Sequence, residues 1–125
     1  KGEPPRLFQI YSAGNFIEAS DHSCFLHVGA PPYGKPILDR ALSPGSSMDE
    51  AAKLALLSFD ATLRSNLSVG LPIDMLRYET DSFSANNFVT FEEQDTYFRG
   101  LRHAYADGLS SLVNSLAPPS PAVDG

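Results

Sequence analysis

The chain has 125 residues, 42% of them hydrophobic, which is enough for one domain or part of one and too short to make two expected. No run of about 18 apolar residues could span a bilayer and no basic segment leads into an apolar stretch, so the chain reads as soluble, with no membrane partner. A net charge of −6 without a local Lys/Arg cluster lacks the footprint of phosphate-backbone binding and argues against nucleic acid, while the single cysteine, Cys24, forbids an intrachain disulfide and fits a reducing cytoplasm.

Leu7–Tyr11 and Phe16–Ala19 are short apolar runs separated by Ser12-Ala13-Gly14-Asn15, whose Gly and Asn tolerate positive φ, and together they predict a β-hairpin. Cys24–Val28 is a further strand candidate, closed by Gly29 and Pro31-Pro32, and a short helix over about Tyr33–Leu42 follows. Ser47 stands three residues before Glu50, the spacing of a capping box, and opens a helix. Met48, Ala52, Ala55, Phe59 and Leu63 recur on one face and Asp49, Lys53, Asp60 and Arg64 on a polar stripe. Leu54, Leu56 and Leu57 widen the apolar side, so this helix is expected to be buried on more than one side and to end near Ser65. Val69–Glu79 reads as a strand with Pro72 at an edge or bend, Thr80–Asn87 as a polar turn and Asn87–Val89 as a return strand. Thr90 and Glu93 repeat the capping-box spacing ahead of a long helix with Phe98, Leu101, Tyr105, Leu109, Leu112 and Leu116 on one face. Gly100 and Gly108 weaken that helix by roughly 1 kcal/mol each relative to alanine, and Pro118-Pro119 stops it. The order of elements is α+β and not a regular βαβ alternation, with residues 1–117 structured and residues 118–125 a disordered tail.

Four groups of residues bear on chemistry. Gly29-Ala30-Pro31-Pro32-Tyr33-Gly34-Lys35 has the spacing of a phosphate loop, but Pro36 stands where Ser or Thr would hold magnesium and two prolines remove N–H donors, so no nucleotide cofactor is expected. Asp21, His22, Cys24 and His27 are near in sequence, yet Cys24 and His27 would point to opposite faces of a strand; a buried thiol and a satisfied histidine are the plainer reading, and no metal is expected. No G-x-S-x-G elbow presents a serine nucleophile, and His103 falls opposite the apolar stripe of its helix. The loop Arg64-Ser65-Asn66-Leu67-Ser68-Val69-Gly70 gathers two hydroxyls and an amide at a helix-to-strand junction, a pattern that serves an ordinary helix-terminal turn as well as a site.

Three segments, YSAGNFIEA at 11–19, YGKPILDR at 33–40 and SFDATLRSNLSVGLPIDMLRY at 58–78, resemble the proteasome-type proteases called ancestral beta subunit, or Anbu, relatives of proteasome β-subunits and HslV. The resemblance runs from about Arg6 to the final helix and is most specific at RSNLSVGLPID. It implies the second half of a four-layer αββα sandwich of the N-terminal-nucleophile hydrolase class, with residues 1–117 as the C-terminal half of a single proteasome-like domain. It also implies a threonine-type peptidase acting on peptide or unfolded protein, whose N-terminal Thr is activated by its own amine and a lysine and assisted by a backbone N–H at the oxyanion. Those groups lie in the first half of the fold, so the chain alone is expected to be inactive. It begins at Lys1 instead of Met, as a fragment, a processed product or a trimmed chain would. By the same resemblance Ser65, Asn66, Ser68 and Gly29 are supporting site residues. Ser65 stands where many β-subunits carry an aspartate, a departure that resembles HslV-like members, which have Thr-Asn where this chain has Ser65-Asn66, and Ala30 stands where β-subunits usually carry a serine. Loops like 64–70 bind a cation in some relatives, a role not expected here. The partners implied are the missing N-terminal half and further copies in a homo-oligomeric ring or spiral, in the cytoplasm. A non-catalytic assembly subunit of the same fold is the alternative.

Overall fold

The structure is a computed structural model that describes residues 2–29 and 31–120. Among these residues two short hairpins and three helices form in the order β1 (Phe8–Ile10), β2 (Phe16–Glu18), α1 (Pro31–Ala41), α2 (Met48–Ser65), β3 (Ile73–Leu76), β4 (Phe88–Phe91) and α3 (Thr96–Ser115). The α+β arrangement expected from the sequence is present.

The first hairpin is antiparallel, with Phe8 opposite Glu18 and Ile10 opposite Phe16. Its turn is closed by Gly14 at φ +86°, a conformation that costs glycine no Cβ clash. Arg6 grips Glu18 through two hydrogen bonds of 2.6 and 2.8 Å, and that hydrogen bonding holds the Glu18 carboxyl below the usual glutamate range. Cys24–Val28 does not form the expected strand. The backbone makes only an isolated bridge between Ser20 and Ser23, because an apolar run becomes a strand only where a neighbouring edge offers it a ladder.

Helix α1 begins at Pro31, two residues before the expected start, since prolines in a first turn forfeit only N–H groups that would be unpaired there. It crosses α2 at Gly34, where an added Cβ would overlap Ser58 Oγ and lie 2.7 Å from the Ser58 carbonyl oxygen. The Ser47 capping box is formed in both directions, and α2 ends at Ser65 as expected. Its buried face departs from the expected stripe. Leu56, Ser58, Asp60 and Thr62 are buried, whereas Met48 and Phe59 stay largely exposed. Ser58 and Thr62 are small enough to lie under α1, and the Thr62 hydroxyl returns its hydrogen bond to the Ser58 carbonyl at 3.0 Å.

The second hairpin pairs Ile73 with Phe91 and Leu76 with Phe88, so β3 is shorter than the expected Val69–Glu79 and β4 extends to Phe91. That extension removes Thr90 from capping duty: its hydroxyl donates to Asp74 Oδ1 across the sheet at 2.7 Å. Helix α3 is capped instead by Asp95, which accepts from the Phe98 N–H at 2.7 Å. The core is Leu56, Ile73, Phe91 and Phe98, flanked by Leu63, Leu71, Met75 and Leu101, where α2 and the start of α3 cover one face of this hairpin. Of the apolar face expected on α3 only Phe98 is buried and Leu101 half-buried; Tyr105, Leu109, Leu112 and Leu116 are exposed. Pro118–Ser120 has no regular structure, and the rest of the expected tail, residues 121–125, lies outside the described residues.

Candidate functional site

The loop after α2 is built by one side chain. The Asn66 N–H closes the helix on the Thr62 carbonyl at 2.8 Å, the Asn66 carbonyl accepts from Val69 N–H at 3.2 Å, and Asn66 Oδ1 accepts from Ser68 N–H at 2.9 Å. This Asx turn uses asparagine's ability to imitate a backbone carbonyl, and it fixes the chain direction between α2 and β3. Asn66 is half-buried, while Ser65 and Ser68 are exposed with hydroxyls that have no hydrogen-bond partner among the described residues. A serine becomes a nucleophile only when a base takes its proton. No base stands within hydrogen-bonding distance of either hydroxyl among the described residues, so the loop offers donors and acceptors but no activated nucleophile. Leu67 between them has a relative exposure of 105%, the posture of an apolar side chain that packs against nothing among the described residues.

Gly29 is exposed at φ +106°, a left-handed conformation that favours glycine, two residues ahead of α1. Because the start of α1 meets the last turn of α2 at Gly34 and Thr62, Gly29 and Ser65 lie toward the same end of that helix pair. Among the described residues Gly29 makes no hydrogen bond to the Ser65–Ser68 turn, and an added Cβ there would meet nothing within 4 Å. Ala30 lies outside the described residues.

The remaining sequence candidates have ordinary engagements. Lys35 pairs with Asp39 at 2.6 Å along α1. The Cys24 thiol is half-buried with its sulfur 3.9 Å from the Leu42 carbonyl oxygen, and no group of three metal-ligating side chains occurs among the described residues. His103 is exposed, with Nδ1 3.0 Å from the Arg99 carbonyl oxygen.

One charged group departs from its sequence pattern. Asp60, expected on a polar stripe, is 4% exposed and is held by Arg64 Nε at 3.2 Å and by Arg102 Nε at 2.6 Å. The i,i+4 spacing of Asp60 and Arg64 could have signalled the first contact, but nothing local signals the second, which spans 42 positions.

No protein-family model matches the chain, and no curated protein matches it. Solved structures do. The chain is 45% identical to Anbu (ancestral beta-subunit) from Yersinia bercovieri, covering 98% of itself and 52% of that chain at a TM-score of 0.91. To a Gly-1 mutant of Anbu from Hyphomicrobium sp. strain MC1 it is 50% identical, covering 97% of itself and 53% of that chain, with a TM-score of 0.92. To the subunit in a helical assembly of the Anbu complex from Pseudomonas aeruginosa it is 43% identical, covering 98% and 51%, with a TM-score of 0.89. The chain therefore spans about half the length of the solved relatives it matches.

Proposed function

Since this chain belongs to the Anbu (ancestral beta-subunit) family, we propose that it serves as the C-terminal half of a proteasome-type subunit whose other half carries an N-terminal threonine nucleophile. The parent hydrolyses peptide bonds in peptide or unfolded protein, and this half supplies support for the site. The observation that carries this reading is the coverage, nearly all of this chain against about half of each relative. A consistent second observation is area. The accessible surface is 9600 Å², against about 6,500 Å² expected for a compact monomer of 13.5 kDa. A surplus of that size suits a body that closes against another polypeptide.

Within this reading the free hydroxyls of Ser65 and Ser68 tune and orient the amine of the threonine, Asn66 holds the turn that presents them, and Gly29 supplies the left-handed backbone turn that leads into α1. No helix among the described residues is long and apolar enough to cross a membrane, and the compartment proposed is the cytoplasm. Assembly into a homo-oligomeric ring or spiral is proposed by analogy with the helical assembly of the Pseudomonas aeruginosa relative.

A non-catalytic assembly subunit is the second reading, supported by Ala30, which stands where proteasome β-subunits usually carry a serine. Reconstitution separates the two. The chain is combined with an N-terminal half beginning in Thr, and separately with one beginning in Ala, and each is assayed on fluorogenic peptides. Hydrolysis by the Thr form alone supports the peptidase; a well-assembled Thr form that cleaves nothing leaves the scaffold.

A further inference from the structure

The sequence has nine Lys and Arg residues and no local run of them, yet the fold gathers three in one place. Arg64 from the last turn of α2 and Arg99, Arg102 and His103 from α3 line an open cleft of 260 Å³. Arg99, Arg102 and His103 share a face of α3 by their three- and four-residue spacing, and the contact between α2 and α3 at Asp60 brings Arg64 alongside.

Arg64 and Arg102 are held in place but not used up. Asp60 takes the Nε of Arg64 and the Nε of Arg102, and the Arg102 guanidinium lies 5.4 Å from the Phe98 ring centroid, which restricts its orientation. The terminal Nη groups of Arg64 and Arg102 have no hydrogen-bond partner among the described residues, and Arg99 makes no ion pair there. Three guanidinium charges against one buried carboxylate leave a local excess of two positive charges, on a chain whose net charge is −6. Guanidinium groups brought together repel each other, and among the described residues no second carboxylate lines the cleft. What such an array accepts is a group with two or more anionic oxygens, which planar Nη pairs grip in parallel. The volume is adequate, since a water molecule takes about 30 Å³ of liquid.

We propose that the cleft between the end of α2 and the middle of α3 is an oxyanion-binding site, with Arg99 and the Nη groups of Arg64 and Arg102 as ligands and Asp60 as the residue that positions the latter two. The oxyanion is a free small anion of the phosphate type or a carboxylate side chain presented by a second copy of the chain. The two sources share one chemistry.

The test uses the full chain and inorganic phosphate, titrated at constant ionic strength against chloride while the arginine side-chain and His103 ring resonances are followed by NMR. Saturable shifts confined to these residues are expected. Arg99 is exposed and unpaired among the described residues, so Arg99→Gln should fold normally and bind about tenfold more weakly, the factor for one charge-assisted hydrogen bond. Arg64→Gln, at a side chain 60% exposed, is the second variant and should act in the same direction. Sedimentation equilibrium with and without phosphate then identifies the source. Dissociation of a self-associated form by phosphate assigns the site to a carboxylate of a second copy, and an unchanged mass assigns it to the free anion. Absence of a saturable shift, an equal response to chloride, or undiminished binding by both variants would overturn the proposal.

Discussion

At Gly34 the spacing of two helices depends on a missing side chain. The start of α1 lies so close to α2 that a Cβ would meet both the hydroxyl and the carbonyl of Ser58. A hydroxyl can rotate away, but a helix carbonyl cannot. Gly34→Ala should therefore push the helices apart and destabilise the chain by about 1–3 kcal/mol, the usual cost of overpacking, as read from urea unfolding. Adding Ser58→Ala should recover only part of the loss, because the carbonyl remains; full recovery would show that the hydroxyl alone sets the spacing. The candidate site residues stood out at this scale only through a specific string of residues that resembles a known family. Ser65, Asn66 and Ser68 read equally well as a plain turn, and the Asx geometry of Asn66 belongs to that plain turn. Asp60 was not legible, since helical periodicity reports which stripe a charge occupies and not whether an arginine 42 positions away will cover it.

Whether a capping pattern caps a helix depends on what the chain does before it. Ser47 and Glu50 follow a turn, so both are free to close on each other's N–H groups, and the box forms. Thr90 and Glu93 have the same spacing, but β4 claims Thr90 for the ladder and Asp95 inherits the cap. Spacing alone cannot distinguish the two cases, because the competing strand pairing is set by Ile73–Leu76, more than a dozen residues upstream. Ser47→Ala should cost about 1 kcal/mol. The Glu50 carboxyl is held below the usual glutamate range, first by the Ser47 backbone N–H and then by the Ser47 hydroxyl. A lowered folded value means that its contribution is present above the ordinary glutamate value and is lost as pH falls through the folded value. Glu50→Gln should consequently be less stable than the parent chain at neutral pH and indistinguishable from it in strong acid, measured by chemical unfolding across that range. A difference that persists in acid would place the effect somewhere other than the carboxylate.

For the molecule as a whole, the β1–β2 hairpin is where a half-fold should behave unlike a complete one. Phe8, Ile10, Phe16 and Ile17 are all exposed, although Phe8 and Phe16 stack edge to face at 5.5 Å, and among the described residues the hairpin makes no substantial packing with any helix or with the second sheet. A two-stranded hairpin without a covering layer is marginal in water. The same deficit explains why Cys24–Val28 has strand composition and no strand structure. Composition is a local property, whereas a ladder needs a neighbour. The α+β order could be read from the sequence because capping, turn and periodicity signals are local; which apolar faces stay open could not be read from those local signals, because burial is set by contacts between residues far apart in sequence. Amide hydrogens of Phe8–Ile10 and Phe16–Glu18 should therefore exchange far faster in the isolated chain than those of Leu56, Ile73 and Phe98, which lie in the core of the described residues. Adding the other half of the subunit should slow the hairpin amides and leave the core amides nearly unchanged. Slow exchange at the hairpin in a monomeric sample of this chain alone would mean that the sheet is already complete, and the half-subunit reading would fail with it.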